Sequence, residues 1–146
     1  GACLATEKAA KSMTPGTHGS TFGGNLLGMA VGKTVLDIIL EPGLLDHVQQ
    51  MGYKLKSGLS NILNDYPDII CAINGVGLML GIQCVVPSQV VVSALESEYL
   101  LSVSANNNVV RFLPPLIIKE EEVNESLHRI EKAIASLSQT NKKQLV

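Results

Sequence analysis

Apolar residues recur along the chain with two different spacings, which predict helices and strands. Between residues 44 and 66 they recur at steps of three and four, typical of a helix with one buried face. The same spacing predicts a helix over about 88–98 and a last one over about 119–138, with a frayed tail from Gln139. A helix over 26–40 is apolar nearly all round, so we expect it to be buried between layers or domains.

Short apolar runs between these helices predict four strands. Residues 69–73 and 78–86 are joined by Asn-Gly-Val-Gly at 74–77, and Asn-Gly favours the positive φ angles of a tight hairpin turn. Two further short strands, 100–104 and 109–113, are separated by three asparagines, which favour a turn. Helices that cover a small sheet give a two-layer α+β fold.

Composition narrows the class of protein. The chain has 146 residues, 46% hydrophobic and 16% charged, which suits about one folded domain. The net charge is −2, and the pair Lys142-Lys143 at the tail is too small to form a basic face. We therefore expect no nucleic-acid binding. Glycines and polar residues interrupt the most apolar stretch, 69–86, so we expect no membrane span.

The cysteines indicate reduced thiols rather than a disulfide framework or a metal site. Cys3, Cys71 and Cys84 are odd in number and far apart in sequence. We therefore expect a cytoplasmic protein with no metal, and expect Cys71 and Cys84, on apolar strands, to be inert core residues.

Ser20 and Thr21 are candidate anion ligands. They lie in a glycine-rich loop just before Asn25, which can cap the helix that follows. Free N–H groups at a helix start and adjacent hydroxyls together suit a phosphate. The alternative is a flexible loop in which the two hydroxyls only cap the helix.

Arg111 is a candidate carboxylate ligand. It lies in an apolar strand, where an unpaired buried charge is costly, and its planar guanidinium suits a carboxylate. That carboxylate belongs either to the protein, as a structural ion pair, or to a ligand; a side chain that reaches out to solvent is the third option.

Three segments resemble class III aminotransferases, which depend on pyridoxal phosphate (PLP). Residues 16–25 resemble the family's loop of His, Gly, Ser or Thr, Thr, aromatic, Gly, Gly and Asn. Residues 73–83 are similar to its hairpin Arg-Gly-x-Gly-Leu-Met-x-Gly-Ile-Glu, although Asn74 replaces the arginine and Gln83 the glutamate. Residues 108–117 resemble its strand Asn-Val-Leu-Arg-Leu-Leu-Pro-Pro-Leu.

The resemblance implies roles for the candidate residues. Members of the family are homodimers in which the Ser-Thr pair reaches the coenzyme phosphate of the other subunit, so Ser20 and Thr21 are expected to bind that phosphate. The matching arginine holds a substrate carboxylate, which assigns Arg111 to substrate binding. The glycine-rich hairpin is expected to be structural.

The resemblance also implies the organisation of the chain, which it covers from Gly1 to about Leu137. It implies the C-terminal small domain of a fold-type I PLP-dependent transferase plus the end of its large domain. Residues 1–25 are then the interface loop that ends the large domain, 26–40 a connecting helix and 41–146 the small α+β domain. Gly1–Ala5 resembles the segment just after the catalytic lysine, so we expect that lysine before Gly1, no catalytic residue in the chain and no activity of the chain alone.

The activity implied for the full-length protein is amino transfer. It would interconvert N-acetylornithine, or a related omega-amino acid, and its semialdehyde with 2-oxoglutarate and glutamate, in arginine or another amino-acid biosynthesis. Two alternatives stay open: an ornithine or 4-aminobutyrate aminotransferase of the same family, and a non-catalytic domain that only dimerises.

Overall fold

The computed structural model describes the backbone of residues 3–144 and the side chains of residues 3–141. The ends of the chain, including Gly1, Ala2 and the side chains of Lys142 and Lys143, lie outside the described residues. The chain divides into two units, residues 1–42 and 43–146. The first unit contains the helices α1 (Glu7–Ala10) and α2 (Leu26–Ile39). The second contains, in order, α3 (Leu44–Asp65), β1 (Ile70–Val76), β2 (Met79–Cys84), α4 (Ser88–Ser97), β3 (Val103–Ala105), β4 (Val109–Phe112) and α5 (Glu120–Gln144).

The second unit is an antiparallel sheet with helices on one side. Its strands lie in the order β1-β2-β4-β3, and every neighbouring pair is antiparallel. The helices α3 and α4 contact the strands, and α5 packs against both helices. Alternate strand residues point into the core, among them Ile70, Leu80, Ile82, Cys84, Val110 and Phe112. The predicted α+β class is confirmed.

The helix α3 packs closely on the hairpin that follows it. Its buried residues include Leu55, Leu59 and Ile62, as the apolar stripe predicts. A Cβ placed on Gly52 would lie 2.5 Å from the carbonyl oxygen of Gly77. The glycine therefore allows the backbones of the helix and the turn to approach each other.

The turn of the hairpin lies later than the sequence predicts. Val76 pairs with Met79, so the turn consists of Gly77 and Leu78 rather than residues 74–77. Gly77 has φ +57° and supplies the positive angle that the first position of a two-residue turn can require. The Asn-Gly pair instead lies inside β1, where its residues pair with β2.

The helix α2 has the predicted position and a different environment. Asn25 caps it, accepting a hydrogen bond from the Gly28 N–H at 2.7 Å. None of its residues is buried, whereas its apolar composition predicts burial. Residues 3–42 form no core of their own that could cover it, so burial of this helix between domains stays a prediction.

The last helix is longer than predicted. The helix α5 continues to Gln144, past the tail that we expect to fray from Gln139. Ser138 explains part of this extension, because its hydroxyl donates to a carboxylate oxygen of Asp68 at 2.7 Å and holds the last turns against the body of the unit. Within residues 3–144, no helix is long and apolar enough to cross a membrane.

Candidate functional site

In the loop before α2, the hydroxyls of Ser20 and Thr21 form no hydrogen bond with any of the side chains described for residues 3–141 or with the described backbone. Ser20 and Thr21 are exposed, and the helix cap is provided by Asn25, not by either of them. Thr17, in the same loop, is different because its hydroxyl already donates to the carbonyl oxygen of Thr14 at 2.7 Å. The interpretation that Ser20 and Thr21 only cap the helix is therefore wrong.

Local contacts give this loop its shape. The side-chain amide of Asn25 donates to the carbonyl oxygen of Phe22, while its oxygen caps the helix. Gly24 has φ +74°, and a Cβ on Gly23 would lie only 3.0 Å from the Cβ of Ser20. The turn thus presents Ser20 and Thr21 ahead of a helix start, where the positive end of the dipole favours an anion.

Arg111 lies on the face of the sheet opposite the helices. Its neighbours in β4, Val110 and Phe112, are buried, and Arg111 is exposed, as the two-residue period of a strand requires. Within residues 3–141 its guanidinium makes no ion pair. Of the three options for Arg111, the structural ion pair has no support within these residues, because the open face leaves the charge of Arg111 in solvent.

A shallow groove on this open face contains Arg111. It is lined by Asn74, Gly75, Met79, Leu80, Gly81, Ser104, Ala105, Asn106, Val109 and Arg111. Arg111 is the one charged residue among these described lining residues. Because this arginine has no carboxylate partner within the described residues and lies in a groove, it can bind the carboxylate of a ligand.

Asn108 fixes the start of the strand that carries Arg111. Its amide group donates to the carbonyl oxygens of Cys84 at 2.7 Å and Val86 at 2.9 Å. Its side-chain oxygen accepts from the Ser88 N–H at 2.7 Å and so caps α4, whose own N-cap, Pro87, provides no side-chain bond. The sequence predicts only a turn here, because these partners are 20 or more residues away in the chain.

The two strand cysteines differ. Cys84 is buried, and desolvation raises the pKa of its thiol to about 11; a backbone hydrogen bond from Val110 opposes this shift and the nearby Cys71 adds to it. The prediction of an inert core thiol is confirmed for Cys84. Cys71 is exposed, so the same prediction is wrong for it: it lies where the register of β1 shifts between Ile70 and Ala72.

Ser20 and Thr21 belong to the first unit and Arg111 to the second, so the two parts of the candidate site are described separately. Among the side chains described for residues 3–141, there is no cluster of three or more that could hold a metal ion.

Residues 1–134 match the sequence model of the family Aminotransferase class-III. The chain belongs to this family. Among the similar proteins of this class III family is the acetylornithine aminotransferase of Brucella melitensis, which is 50% identical over 141 residues, covering 97% of this chain and 35% of that protein.

Solved aminotransferase structures share the fold. The ornithine aminotransferase of Toxoplasma gondii matches with a TM-score of 0.77 and 32% identity over 89% of this chain and 32% of that one. The acetylornithine aminotransferase of Elizabethkingia anophelis matches with a TM-score of 0.73 and 31% identity over 84% of this chain and 33% of that one. The chain therefore has the fold of part of a PLP-dependent class III aminotransferase, and it spans about a third of the length of these relatives.

Proposed function

We propose that the chain is the C-terminal third of a PLP-dependent acetylornithine aminotransferase. The observation that carries this proposal is its 50% identity, over 97% of its length, to the acetylornithine aminotransferase of Brucella melitensis. The full-length protein would interconvert N-acetylornithine and its semialdehyde, with 2-oxoglutarate and glutamate as the second pair. It would act as a cytoplasmic homodimer in arginine biosynthesis.

Each part of the chain has a place in this proposal. Residues 1–25 end the large PLP-binding domain as an interface loop, 26–40 are a connecting helix and 41–146 form the small domain. The boundary between the two described units, after Pro42, agrees closely with the last of these divisions. The exposed apolar surface of α2 supports a connecting helix that is covered elsewhere in the full-length enzyme.

The loop residues fit the phosphate of PLP. Ser20 and Thr21 supply two unshared hydroxyls, and the start of α2 supplies N–H groups and the positive end of a helix dipole. These are the donors that a phosphate dianion requires. In the proposed dimer they would hold the coenzyme of the neighbouring subunit, with Thr21 the more important of the two.

When bound, PLP withdraws electrons from the carbon atom that bears the substrate's amino group, which is the chemistry that amino transfer needs. Arg111 would bind and orient a substrate carboxylate through its guanidinium. The lysine that moves the proton would lie outside this chain. Lys8, Lys11 and Lys33 are exposed, and Lys33 is paired with Asp37, so none of them has the desolvated setting that activates a catalytic lysine. We therefore propose that the chain alone is inactive.

A chimera tests the proposed activity. The 141-residue segment of the Brucella melitensis enzyme that matches this chain is replaced by this chain, and glutamate formation from 2-oxoglutarate is measured with N-acetylornithine, ornithine and 4-aminobutyrate as amino donors. We expect N-acetylornithine to give the highest kcat/KM. The unmodified Brucella enzyme is the control, and a folded chimera that prefers free ornithine would contradict the substrate.

Ornithine aminotransferase is the second candidate. It is favoured by the Toxoplasma gondii enzyme, whose TM-score of 0.77 exceeds the 0.73 of the Elizabethkingia anophelis acetylornithine aminotransferase. Sequence identity supports the first candidate more strongly, at 50% against 32%. The third candidate is a non-catalytic domain that only dimerises. In that case the chimera would be folded but inactive with all three amino donors.

The phosphate site is tested with loop variants of the same chimera. Thr21→Val and Ser20→Ala each remove one hydroxyl, and we expect each to weaken PLP binding about tenfold, since hydrogen bonds to charged groups contribute about 1.5 kcal/mol or more. Thr17→Val is the matched control, because the Thr17 hydroxyl is already bound to Thr14. Equal PLP affinity for Thr21→Val and Thr17→Val would exclude Thr21 from the phosphate site.

A further inference from the structure

Three residues form one row across the open face of the sheet. Asn74 in β1 lies directly opposite Gly81 in β2, and Gly81 lies directly opposite Arg111 in β4. Residues that are paired across antiparallel strands project on the same face. The carboxamide of Asn74 and the guanidinium of Arg111 therefore stand on the same face, with a residue that has no side chain between them.

A glycine and a neighbouring valine methyl fill the position between the two polar side chains. Neighbouring strands lie about 4.8 Å apart, so the Cα atoms of Asn74 and Arg111 are separated by roughly 10 Å. Gly81 is buried, and a Cβ there would lie 2.7 Å from a methyl carbon of Val109. Gly81 and the methyl group of Val109 thus form a low floor of the groove, which Asn74 and Arg111 also line.

Both flanking side chains are available to a ligand. Asn74 and Arg111 are exposed and line the same groove. Within residues 3–141, the side-chain hydrogen bonds and ion pairs involve neither of them. With no carboxylate among the described lining residues, nothing in the groove competes with an anion for these two groups.

We infer that Asn74 is a second carboxylate-binding residue, which donates its amide N–H to the substrate carboxylate that Arg111 holds. This inference rests on the proposed function, which makes Arg111 the primary ligand. One positive charge and one neutral donor suit a single carboxylate. Asn74 thereby determines how strongly the groove prefers that group over a more highly charged anion.

The test uses the full-length enzyme. KM for 2-oxoglutarate and the inhibition constant of glutarate, as a carboxylate probe, are measured for Asn74→Asp, Asn74→Ala and Asn74→Arg. A carboxylate introduced in place of the hydrogen-bonding amide repels the ligand, so we expect Asn74→Asp to raise both constants about tenfold. Loss of one donor in Asn74→Ala should raise them roughly threefold, and Asn74→Arg should lower them. The value of kcat should stay within about twofold, because the chemistry uses other groups.

Two controls separate the possible failures. Asn64→Asp makes the same charge change on the exposed side of α3 and should leave both constants unchanged; an equal effect of Asn64→Asp and Asn74→Asp would overturn the inference. Arg111→Gln tests the proposed function itself. If it weakens glutarate binding while the three Asn74 variants do not, Asn74 is excluded and the role of Arg111 stands. If Arg111→Gln has no effect either, both assignments are wrong.

Discussion

The two units of the chain are stabilised in different ways. Residues 3–42 contain no buried residue, and their hydrogen bonds join residues at most four positions apart. Residues 43–144 enclose a core of twenty hydrophobic residues. Their polar contacts reach across the sequence, as in the bonds of His47 to Ile118 and Ser138 to Asp68, which span 71 and 70 positions.

The contrast is clearest in α2, whose sequence is typical of a buried helix although its residues are exposed. Leu26 and Leu27 in α2 are 88% and 75% exposed, although the helix has the composition of a buried one. Apolar residues that recur through a whole helix are normally covered. The second unit has its own hydrophobic core. The helix α2, in contrast, has an apolar surface that no core within residues 3–42 covers.

Truncating a core residue gives the largest effect and tests the contrast directly. Leu59→Ala removes a side chain with no exposed area, so we expect the free energy of unfolding to fall by about 3 kcal/mol, through lost burial and the cavity that remains. Leu27→Ala, on exposed α2, should change it by less than about 0.5 kcal/mol. Urea unfolding of the chain measures both, and a similar loss for the two variants would show that α2 shares the core.

A pair of glycine substitutions sharpens the contrast. A Cβ at Gly52 would meet the backbone of Gly77, which cannot rotate away, so Gly52→Ala should destabilise the second unit by about 2 kcal/mol. A Cβ at Gly32 in α2 meets nothing within 4 Å, so Gly32→Ala should raise helicity and stabilise α2 by roughly 0.8 kcal/mol. The midpoint of thermal unfolding should therefore fall for Gly52→Ala, whereas Gly32→Ala should strengthen the helical circular-dichroism signal and leave that midpoint unchanged. A stabilising Gly52→Ala would refute the close approach.

Two asparagines that both cap helices should differ in the reach of their effect. Asn108 joins β2, β4 and α4 through partners far away in sequence, so Asn108→Ala should lower the free energy of unfolding of the second unit by about 2 kcal/mol. Asn25 caps only its own helix, so Asn25→Ala should cost α2 about 1 kcal/mol. In Asn25→Ala the circular-dichroism signal of helix should weaken, while the midpoint of the cooperative urea transition stays unchanged. A shift of that midpoint would contradict a purely local role of Asn25.

Local features of the fold could be predicted from the sequence, and non-local ones could not. Helix positions and the cap at Asn25 follow from spacing and from adjacent residues. The hairpin turn lies two to three residues later than the frequent turn pair Asn-Gly predicts, because the pairing of Asn-Gly inside β1 depends on the facing strand. The network of Asn108 is not predictable for the same reason, since its partners are distant in sequence.

The candidate site likewise has a local part that could be predicted and a non-local part that could not. The motif around Ser20 and Thr21 is continuous in sequence, so its glycine-rich loop and helix start could be predicted. The exposure of Arg111 depends on which face of the sheet the helices cover, and an apolar strand does not reveal this. The row that joins Arg111 to Asn74 depends on the register of three strands, and no spacing along the chain encodes that register.

The smallest expected change in the free energy of unfolding concerns a non-glycine residue with a positive φ angle in the second unit. In the described part of the first unit the positive φ angles fall on glycines, Gly16 and Gly24, whereas Tyr99 in the second unit has φ +58°. Tyr99 follows the C-terminus of α4, and its N–H and that of Leu100 donate to α4 carbonyls, the arrangement in which glycine is usual. The Arg129 guanidinium on α5 donates to the carbonyl oxygen of Glu98 at 3.0 Å, which helps to hold this end in place.

Replacing Tyr99 by glycine should therefore stabilise the protein slightly. Relief of the left-handed conformation contributes about 1 kcal/mol, and the greater freedom of glycine in the unfolded chain offsets roughly half of it. Tyr99→Ala is the matched control: it removes the same exposed ring but keeps the Cβ, so it should give no gain. If urea unfolding shows equal midpoints for the two variants, the ring rather than the backbone sets the stability at this position, and long-range contacts are not holding a strained residue there.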